Sequence, residues 1–202
     1  MPKDKTVSHI KIMQAARDEF MEAGFEKASM RNIGARCGLT AAAIYRHCTG
    51  KEDLFAQLAA PAAERIDRWI EAHVARYMDA VQEQDHIRWH DSEIDMMREV
   101  VYPHMEEYYL LLTKSQGTKY ANFLHELTER HQEHLMRYIP LLRQQGLAVS
   151  DIAPEELHIL LTAYTAALFE PVVHNYSRAE ALHCLDKVEA FFLPGWKQLM
   201  GF

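Results

Sequence analysis

The sequence contains few residues that interrupt helices, such as glycine and proline, or that form disulfide cross-links. Its 202 residues include only 3 cysteines, 8 glycines and 7 prolines. An odd number of scattered cysteines does not suit a disulfide framework and is typical of a reducing compartment, so we expect a cytoplasmic protein. The chain also lacks an uncharged apolar run of membrane-spanning length and an apolar N-terminal segment like that of a secretory signal. We therefore expect no membrane partner.

Other absences narrow the fold and the function class. No segment alternates apolar and polar residues as a half-buried strand does, and no repeat of fixed period is present. The chain has no recognisable Ser-His-Asp set, no phosphate-binding glycine loop and no context that would activate a cysteine. The sequence therefore predicts an all-α protein that is not an enzyme and needs no cofactor.

Apolar residues recur at helical spacing along almost the whole chain, and about nine helices are predicted. They cover 9–23, 29–36, 40–47, 51–84, 91–101, a segment from 103, 118–145, 154–176 and 178–200. In the first helix, the predicted apolar face contains Ile10, Met13, Ala16, Phe20 and Ala23. Gly24 is predicted to end this helix, since glycine readily adopts the left-handed conformation of a C-terminal cap.

Charge is distributed unevenly along the chain. Residues 1–51 hold nine Lys and Arg against five Asp and Glu, a balance of +4. The other 151 residues hold 13 against 24, a balance of −11, which together give the net −7 of the chain. A basic segment joined to an acidic one indicates that the basic segment binds a polyanion, although a chance fluctuation of a few charges gives the same pattern.

Residues 29–47 have the spacing of a helix-turn-helix motif. Ser29 and Thr40 can each cap a short helix, and Gly38 can adopt the positive φ that a sharp turn requires. The second helix would then enter the major groove of DNA, where small side chains allow close approach; Tyr45 and Lys51 suit phosphate oxygens. The predicted DNA-binding residues are Ser29, Arg31, Thr40, Ala41, Ala42, Ala43, Tyr45, Arg46, His47 and Lys51. A plain helical hairpin in a bundle is the alternative.

Residues 24–55, GFEKASMRNIGARCGLTAAAIYRHCTGKEDLF, resemble the DNA-binding domain of the TetR family of bacterial repressors. The resemblance covers roughly residues 8–56. It implies a DNA-binding domain over 1–51 and a helical ligand-binding and dimerisation domain over 52–202. It further implies a homodimer that binds a palindromic operator in double-stranded DNA and is released by a small-molecule effector.

Three positions in this segment depart from the family pattern. Relatives usually carry Ala in place of Gly34 and Cys37, and a large aromatic residue in place of Cys48. We expect Gly34 to weaken its short helix and Cys48 to leave a void under the recognition helix. Relatives also often carry a Lys near Ala41 and Ala42, so one phosphate or base contact is expected to be missing.

The last two predicted helices carry the expected dimer interface. The segment LHILLTAYTAALFEPVVHNY is apolar around most of its circumference, and such a helix has to be covered from two directions. The predicted interface residues are Ala163, Ala166, Ala167, Leu182, Leu185, Val188 and Phe192. The alternative is burial of the same residues within one subunit.

Aromatic residues between 86 and 176 are the candidates for an effector pocket. The predicted lining is Trp89, Tyr108, Tyr109, Phe123, Phe169 and His174, and the alternative is that these side chains form ordinary core. An acidic pocket lined by aromatic rings would favour an apolar or amphipathic ligand that is cationic or neutral.

Two metal-based functions stay open at this point. Glu155 and His158, and likewise Glu180 and His183, have the spacing found in di-iron carboxylate bundles, which are enzymes. The two motifs start successive helices, so antiparallel packing would place them at opposite ends. The twelve His residues also leave room for a metal-sensing repressor, for example through His131 and its neighbour His134.

Overall fold

The computed structural model describes residues 5–83 and 91–201, and in these two segments the chain is helical with no β-strand. This confirms the all-α fold class. The α-helices are α1 (Lys5–Lys27), α2 (Met30–Cys37), α3 (Ala41–Ile44), α4 (Lys51–Glu83), α5 (Asp91–Met96), α6 (Met105–Thr113), α7 (Phe123–Gln144), α8 (Pro154–Val173) and α9 (Arg178–Met200). A π-helical turn (Met97–Val101) and a 3₁₀ turn (Tyr102–His104) connect α5 to α6.

The chain forms two compact units. Unit 1 consists of Met1–Glu64 and Glu106–Ala121, and unit 2 consists of Arg65–Met105 and Asn122–Phe202. Helix α4 contributes residues to both units. Unit 1 is therefore larger than the DNA-binding segment 1–51 expected from the sequence, because it includes the first turns of α4 and the segment that contains α6.

The buried face of α1 differs from the predicted one. Ile12, Ala16 and Phe20 are fully buried, whereas Ile10 is 62% exposed. The predicted face and the buried face both fit the apolar spacing. The buried face was hard to recognise in the sequence because it contains a glutamate, Glu19. Gly24 interrupts the helix with φ 72° and ψ 164°, so the predicted end of the regular helix at this glycine is confirmed.

Aromatic side chains form the centre of unit 1. The ring centroids of Phe20 and Phe55 are 5.1 Å apart, and those of Phe25 and Phe55 are 5.4 Å apart. Tyr108 is fully buried, and its hydroxyl donates a hydrogen bond of 2.9 Å to the carbonyl of Ala62. The aromatic cluster therefore ties α1 to the start of α4, and Tyr108 ties α6 to the same helix.

Side-chain hydrogen bonds fix the turns and helices of unit 2. The buried Tyr102 donates to the carbonyl of Leu168 in α8 at 3.0 Å. Arg98, in the π-helical turn, donates to Asp186 in α9 at 2.8 Å. These contacts hold the connection between α5 and α6 against both C-terminal helices.

Helix α8 is unusually apolar. It is the one helix in the described segments that is long and apolar enough to span a membrane, with 44% of its most apolar window buried. Core helices of soluble proteins meet the same criteria, so this is weak evidence for a membrane. The exposed part of α8 includes Ile159 and Leu160.

Candidate DNA-binding surface and ligand cavity

Helix α2 is defined at both ends by its own sequence. The hydroxyl of Ser29 accepts a hydrogen bond of 3.1 Å from the backbone N–H of Asn32, which caps the first turn. Gly38 adopts the left-handed conformation (φ 68°, ψ 29°) and ends the helix. The N–H of Leu39 then donates to the carbonyl of Gly34 at 2.9 Å, which closes the tight turn between α2 and α3.

Gly34 is required by the packing of this turn. A Cβ atom at this position would lie 2.5 Å from the carbonyl oxygen of Leu39, a backbone atom that cannot move without opening the turn. The sequence led us to expect only a weakened helix. In the structure, the missing side chain instead allows the backbone on the far side of the turn to approach α2.

Helix α3 is shorter than predicted. Thr40 caps it by accepting a hydrogen bond of 3.2 Å from the N–H of Ala43, and the α-helix covers only Ala41–Ile44. The chain continues as a tighter turn, in which His47 donates to the carbonyl of Ile44 at 2.7 Å. Ile33 of α2 and Ile44 of α3 are both fully buried, so the two helices share a small core.

Cys48 belongs to the same core. Its side chain is buried, and the thiol lies 3.7 Å from the carbonyl oxygen of Ile44. Burial raises the pKa of the Cys48 thiol. The residue therefore acts as a small apolar side chain rather than as a reactive thiol.

Most of the predicted DNA-binding residues are accessible. Tyr45 is 54% exposed. Arg31, Thr40, Ala42 and Arg46 are also exposed, while Ser29, Ala41, Ala43, His47 and Lys51 are partly exposed. The turn between the helices thus leaves small side chains, one phenol and two guanidinium groups in solvent.

Lys51 has a structural role that the sequence did not indicate. Its ammonium group donates to the carbonyls of Phe25 and Glu26, at 2.8 and 3.2 Å, and lies 4.4 Å from the centre of the Phe25 ring. These are the carbonyls at the end of α1. Lys51 therefore joins the start of α4 to α1, and the phosphate contact expected from the sequence stays a prediction.

A buried carboxylate joins α1 to α2, and sequence reasoning missed it. Glu19 is 2% exposed and accepts hydrogen bonds from the N–H of Ser29 (3.2 Å), from Nδ2 of Asn32 (2.8 Å) and from Nε of Arg36 (3.0 Å). Burial alone would raise the pKa of Glu19, but these bonds outweigh it and hold the pKa below its ordinary value. Glu22 also pairs with Arg36, so the guanidinium bridges two carboxylates. The sequence did contain one indication of this buried carboxylate, since Glu19 is a single acidic residue within an otherwise apolar face of α1.

The sequence of this segment matches a known family. Residues 12–58 match the model described as bacterial regulatory proteins, tetR family. In this segment the chain is similar to the TetR family. Members of this family are DNA-binding transcriptional regulators rather than enzymes, and the match confirms the predicted resemblance to them.

Solved structures of two bacterial regulators are similar to this chain at low sequence identity. PfmR from Thermus thermophilus is 20% identical, with 89% of this chain and 97% of that chain covered and a TM-score of 0.54. NalD from Pseudomonas aeruginosa, described as the secondary repressor of the MexAB-OprM multidrug efflux pump, is also 20% identical, with 92% and 96% covered and a TM-score of 0.49. The likeness to PfmR supports the fold alone. None of the curated proteins matches the chain significantly.

Unit 2 contains a cavity. Its volume is about 750 Å³, including the part open to solvent, and its walls come from α4, α5, α7 and α8. The lining residues are Trp69, Ile70, His73, Val74, Glu93, Met96, Leu127, His131, His134, Leu135, Tyr138, Tyr164, Thr165, Leu168 and Phe169. A mostly apolar lining with a few polar groups is typical of a small-molecule site.

The polar groups of the cavity are concentrated on α5 and α7. Nε2 of His131 lies 3.0 Å from Oε1 of Glu93, and both side chains are largely buried. Burial lowers the pKa of His134, and the neighbouring His131 and Arg137 lower it further. The ring of His73 stacks on that of Trp69, with 3.5 Å between the ring centroids.

The predicted ligand-binding residues do not come together in this cavity. Phe169 lines it, while Phe123 is buried elsewhere in unit 2 and His174 lies exposed at the end of α8, beside Glu170. Tyr108 and Tyr109 belong to unit 1, and Trp89 lies outside the described residues. The sequence pattern showed which helices carry aromatic residues, but it could not show which helix faces converge on the cavity.

The predicted dimer residues divide into two groups. Ala163 and Ala166 are exposed on α8, and Ala167, Leu182, Val188 and Phe192 are partly exposed. Leu185 is fully buried within its own subunit, so it belongs to the core instead of to an exposed interface. The sequence also missed Phe191, which is 78% exposed on α9.

Residues of the two metal-based alternatives have protein partners in the structure. Across residues 5–83 and 91–201, no group of three or more His, Cys, Asp or Glu side chains is arranged to hold a metal ion. Glu180 caps α9, accepting hydrogen bonds from the N–H and the hydroxyl of Ser177 at 2.8 and 2.7 Å. Nδ1 of His158 lies 2.9 Å from Oε1 of Gln132. These contacts explain both residues without a metal.

Proposed function

We propose that this TetR-family regulator is a ligand-responsive repressor that binds a palindromic operator as a homodimer. The observation that carries the proposal is the turn between α2 and α3, whose caps and buried isoleucines hold α3 with Tyr45 and Arg46 exposed. This is the arrangement that a recognition helix needs in the major groove. Small side chains at Ala42 and Ala43 favour close approach to the bases.

Positive charge on this surface favours a phosphate backbone as the partner. Arg31 and Arg46 are exposed, whereas Arg36 is engaged by Glu19 and Glu22. Contacts to phosphates release counterions, so affinity for any duplex should fall steeply as salt is added. Base preference would come from the residues of α3 and its following turn.

The exposed apolar side chains of the last two helices support a homodimer. Ile159 is 67% exposed on α8, and Phe191 is exposed on α9. Exposed Ala163 and Ala166 would allow a second copy of α8 to pack closely. A dimer would carry two recognition helices, which suits an operator with two half-sites.

The cavity in unit 2 is the proposed effector site. Its apolar walls would bind an apolar or amphipathic organic molecule, and α4, which contributes Trp69 and Ile70 to the cavity, begins in unit 1. A ligand can shift the protein away from its operator-binding form only if it binds the other form more tightly. We propose that it does so by changing the position of α4.

Selection of binding sites from random duplex DNA, with the full-length chain, tests the proposal. Enrichment of a two-fold symmetric sequence, bound by two chains per duplex, is the expected result. The enriched duplex is then used with a compound library to find molecules that stabilise the protein and release DNA. Failure to enrich any sequence at low salt would contradict the proposed function.

A further inference from the structure

Among the described residues, a single acidic side chain lines the proposed effector cavity. Its lining residues include one carboxylate, Glu93, and among the residues that the structure describes no Lys or Arg lines the cavity. A neighbouring pocket of about 350 Å³, including the part open to solvent, shares Glu93, His131 and Tyr164 with it and adds a second carboxylate, Glu189. The polar side of the effector cavity is therefore acidic.

The histidines of the cavity do not supply a compensating site for an anion. His134 has its pKa lowered, first by burial, so its imidazole is neutral at neutral pH. Nδ1 of His73 lies 3.2 Å from the carbonyl oxygen of Trp69, and the ring stacks on the indole. Nε2 of His131 is engaged by Glu93.

Aromatic rings surround the carboxylate. Trp69, Tyr138, Tyr164 and Phe169 all line the cavity, and ring faces attract cations. A largely buried carboxylate together with such rings would recognise a protonated amine by charge and by ring-face contact, while the aliphatic residues would hold an apolar body.

We propose that the cavity selects a protonated amine with an apolar body, that Glu93 binds the ammonium group, and that His131 competes with the ligand for this carboxylate. This inference rests on the proposed function, because it names the ligand class of the proposed effector site. It predicts opposite effects for the loss of the two partners: removing Glu93 weakens amine binding, and removing His131 strengthens it.

The test measures binding of three compounds that share one skeleton: 4-phenylbutylamine, 4-phenylbutanol and 4-phenylbutanoate. Isothermal titration with the wild-type protein should rank the amine first and the carboxylate last. We expect the amine to bind at least about tenfold more tightly than the alcohol, since a charge-assisted contact in a partly buried site is worth about that much.

Two variants identify the residues responsible. Glu93→Gln should reduce the preference for the amine over the alcohol to about threefold or less. His131→Gln should raise the amine affinity, and should do so even if Glu93→Gln does not fold. Glu129→Gln, which removes an exposed carboxylate of the same unit, is the matched control and should change neither affinity.

The outcomes separate this inference from the proposed function. Tightest binding of the carboxylate, an amine preference that survives in folded Glu93→Gln, or weaker amine binding to His131→Gln would each overturn the inference. So would the absence of binding by all three compounds at millimolar concentration. None of these results affects operator selection, which tests the repressor function without any ligand.

Discussion

Replacement of the buried carboxylate Glu19 by Gln tests how the DNA-binding unit is held together. Oε1 of Glu19 accepts hydrogen bonds from Ser29 and Asn32, while Oε2 accepts from Arg36. A glutamine side chain has one acceptor oxygen and one donor nitrogen. It can satisfy Ser29 and Asn32 but then directs its own N–H groups at the guanidinium of Arg36.

The expected loss follows from these contacts. Hydrogen bonds to a charged group contribute about 1.5–3 kcal/mol to stability, and the substitution removes the charge and opposes one of the bonds. We expect a loss of about 2–3 kcal/mol, which for a chain of this size lowers the melting temperature by about 5–10 °C. Glu22→Gln is the matched control: Glu22 pairs with the same Arg36 but is largely exposed, so its loss should shift melting by less than about 2 °C.

The pH dependence provides a second, independent check. The pKa of Glu19 lies below its ordinary value of 4.5 in the folded protein. Its contribution is therefore fully present above that ordinary value and is lost as the pH falls through the lower, folded value. The difference in melting temperature between wild type and Glu19→Gln should be constant near neutrality and shrink below about pH 4.5. An unchanged melting temperature in Glu19→Gln, or a difference that persists undiminished in acid, would refute the reasoning.

Four further substitutions address the turn, the DNA surface, the contact between α1 and α4, and the proposed dimer. Gly34→Ala should lower both the melting temperature and DNA affinity, because its Cβ would lie 2.5 Å from the carbonyl oxygen of Leu39. Helix propensity alone would favour the alanine, so a variant with a higher melting temperature would contradict the proposed packing role of Gly34. Arg46→Ala should flatten the dependence of log affinity on log salt by about one unit and leave the melting temperature unchanged. Lys51→Ala should lower the melting temperature, since it removes the contacts to Phe25 and Glu26. The reverse pattern in DNA titrations and thermal melts would show that the two roles are misassigned. Ala166→Glu should convert the proposed dimer to a monomer in sedimentation experiments and abolish operator binding. The control Met136→Glu, at an exposed site on α7, should do neither. A dimer that survives Ala166→Glu would place the interface elsewhere.

Local features of the fold were predictable because they depend on neighbours in the sequence. Ser29, Gly38 and Thr40 act within a few residues of themselves, and their capping and turn roles are confirmed. The fold class and the family follow from the same kind of pattern, which extends over residues 12–58. Helix α9 begins and ends at the predicted residues, since Ser177 caps it and Gly201 ends it.

Features that depend on packing between distant segments could not be predicted in the same way. Helical spacing allowed two faces for α1, and only the partners of Glu19 on α2 explain the one that is buried. The contacts of Lys51 join residues 25 positions or more apart. The cavity of unit 2 combines four helices, so the convergence of Glu93 and His131 could not be read from either segment alone.

The most direct test of the account is a fluorescence anisotropy titration of the selected palindromic duplex with the full-length chain, at several salt concentrations. The account predicts saturation at two chains per duplex and an affinity that falls steeply with salt, because exposed cations such as Arg31 and Arg46 contact phosphates. A control duplex with one half-site scrambled should bind much more weakly. Equal affinity for both duplexes, or binding that does not change with salt, would contradict the central claim that α3 reads a two-fold symmetric operator.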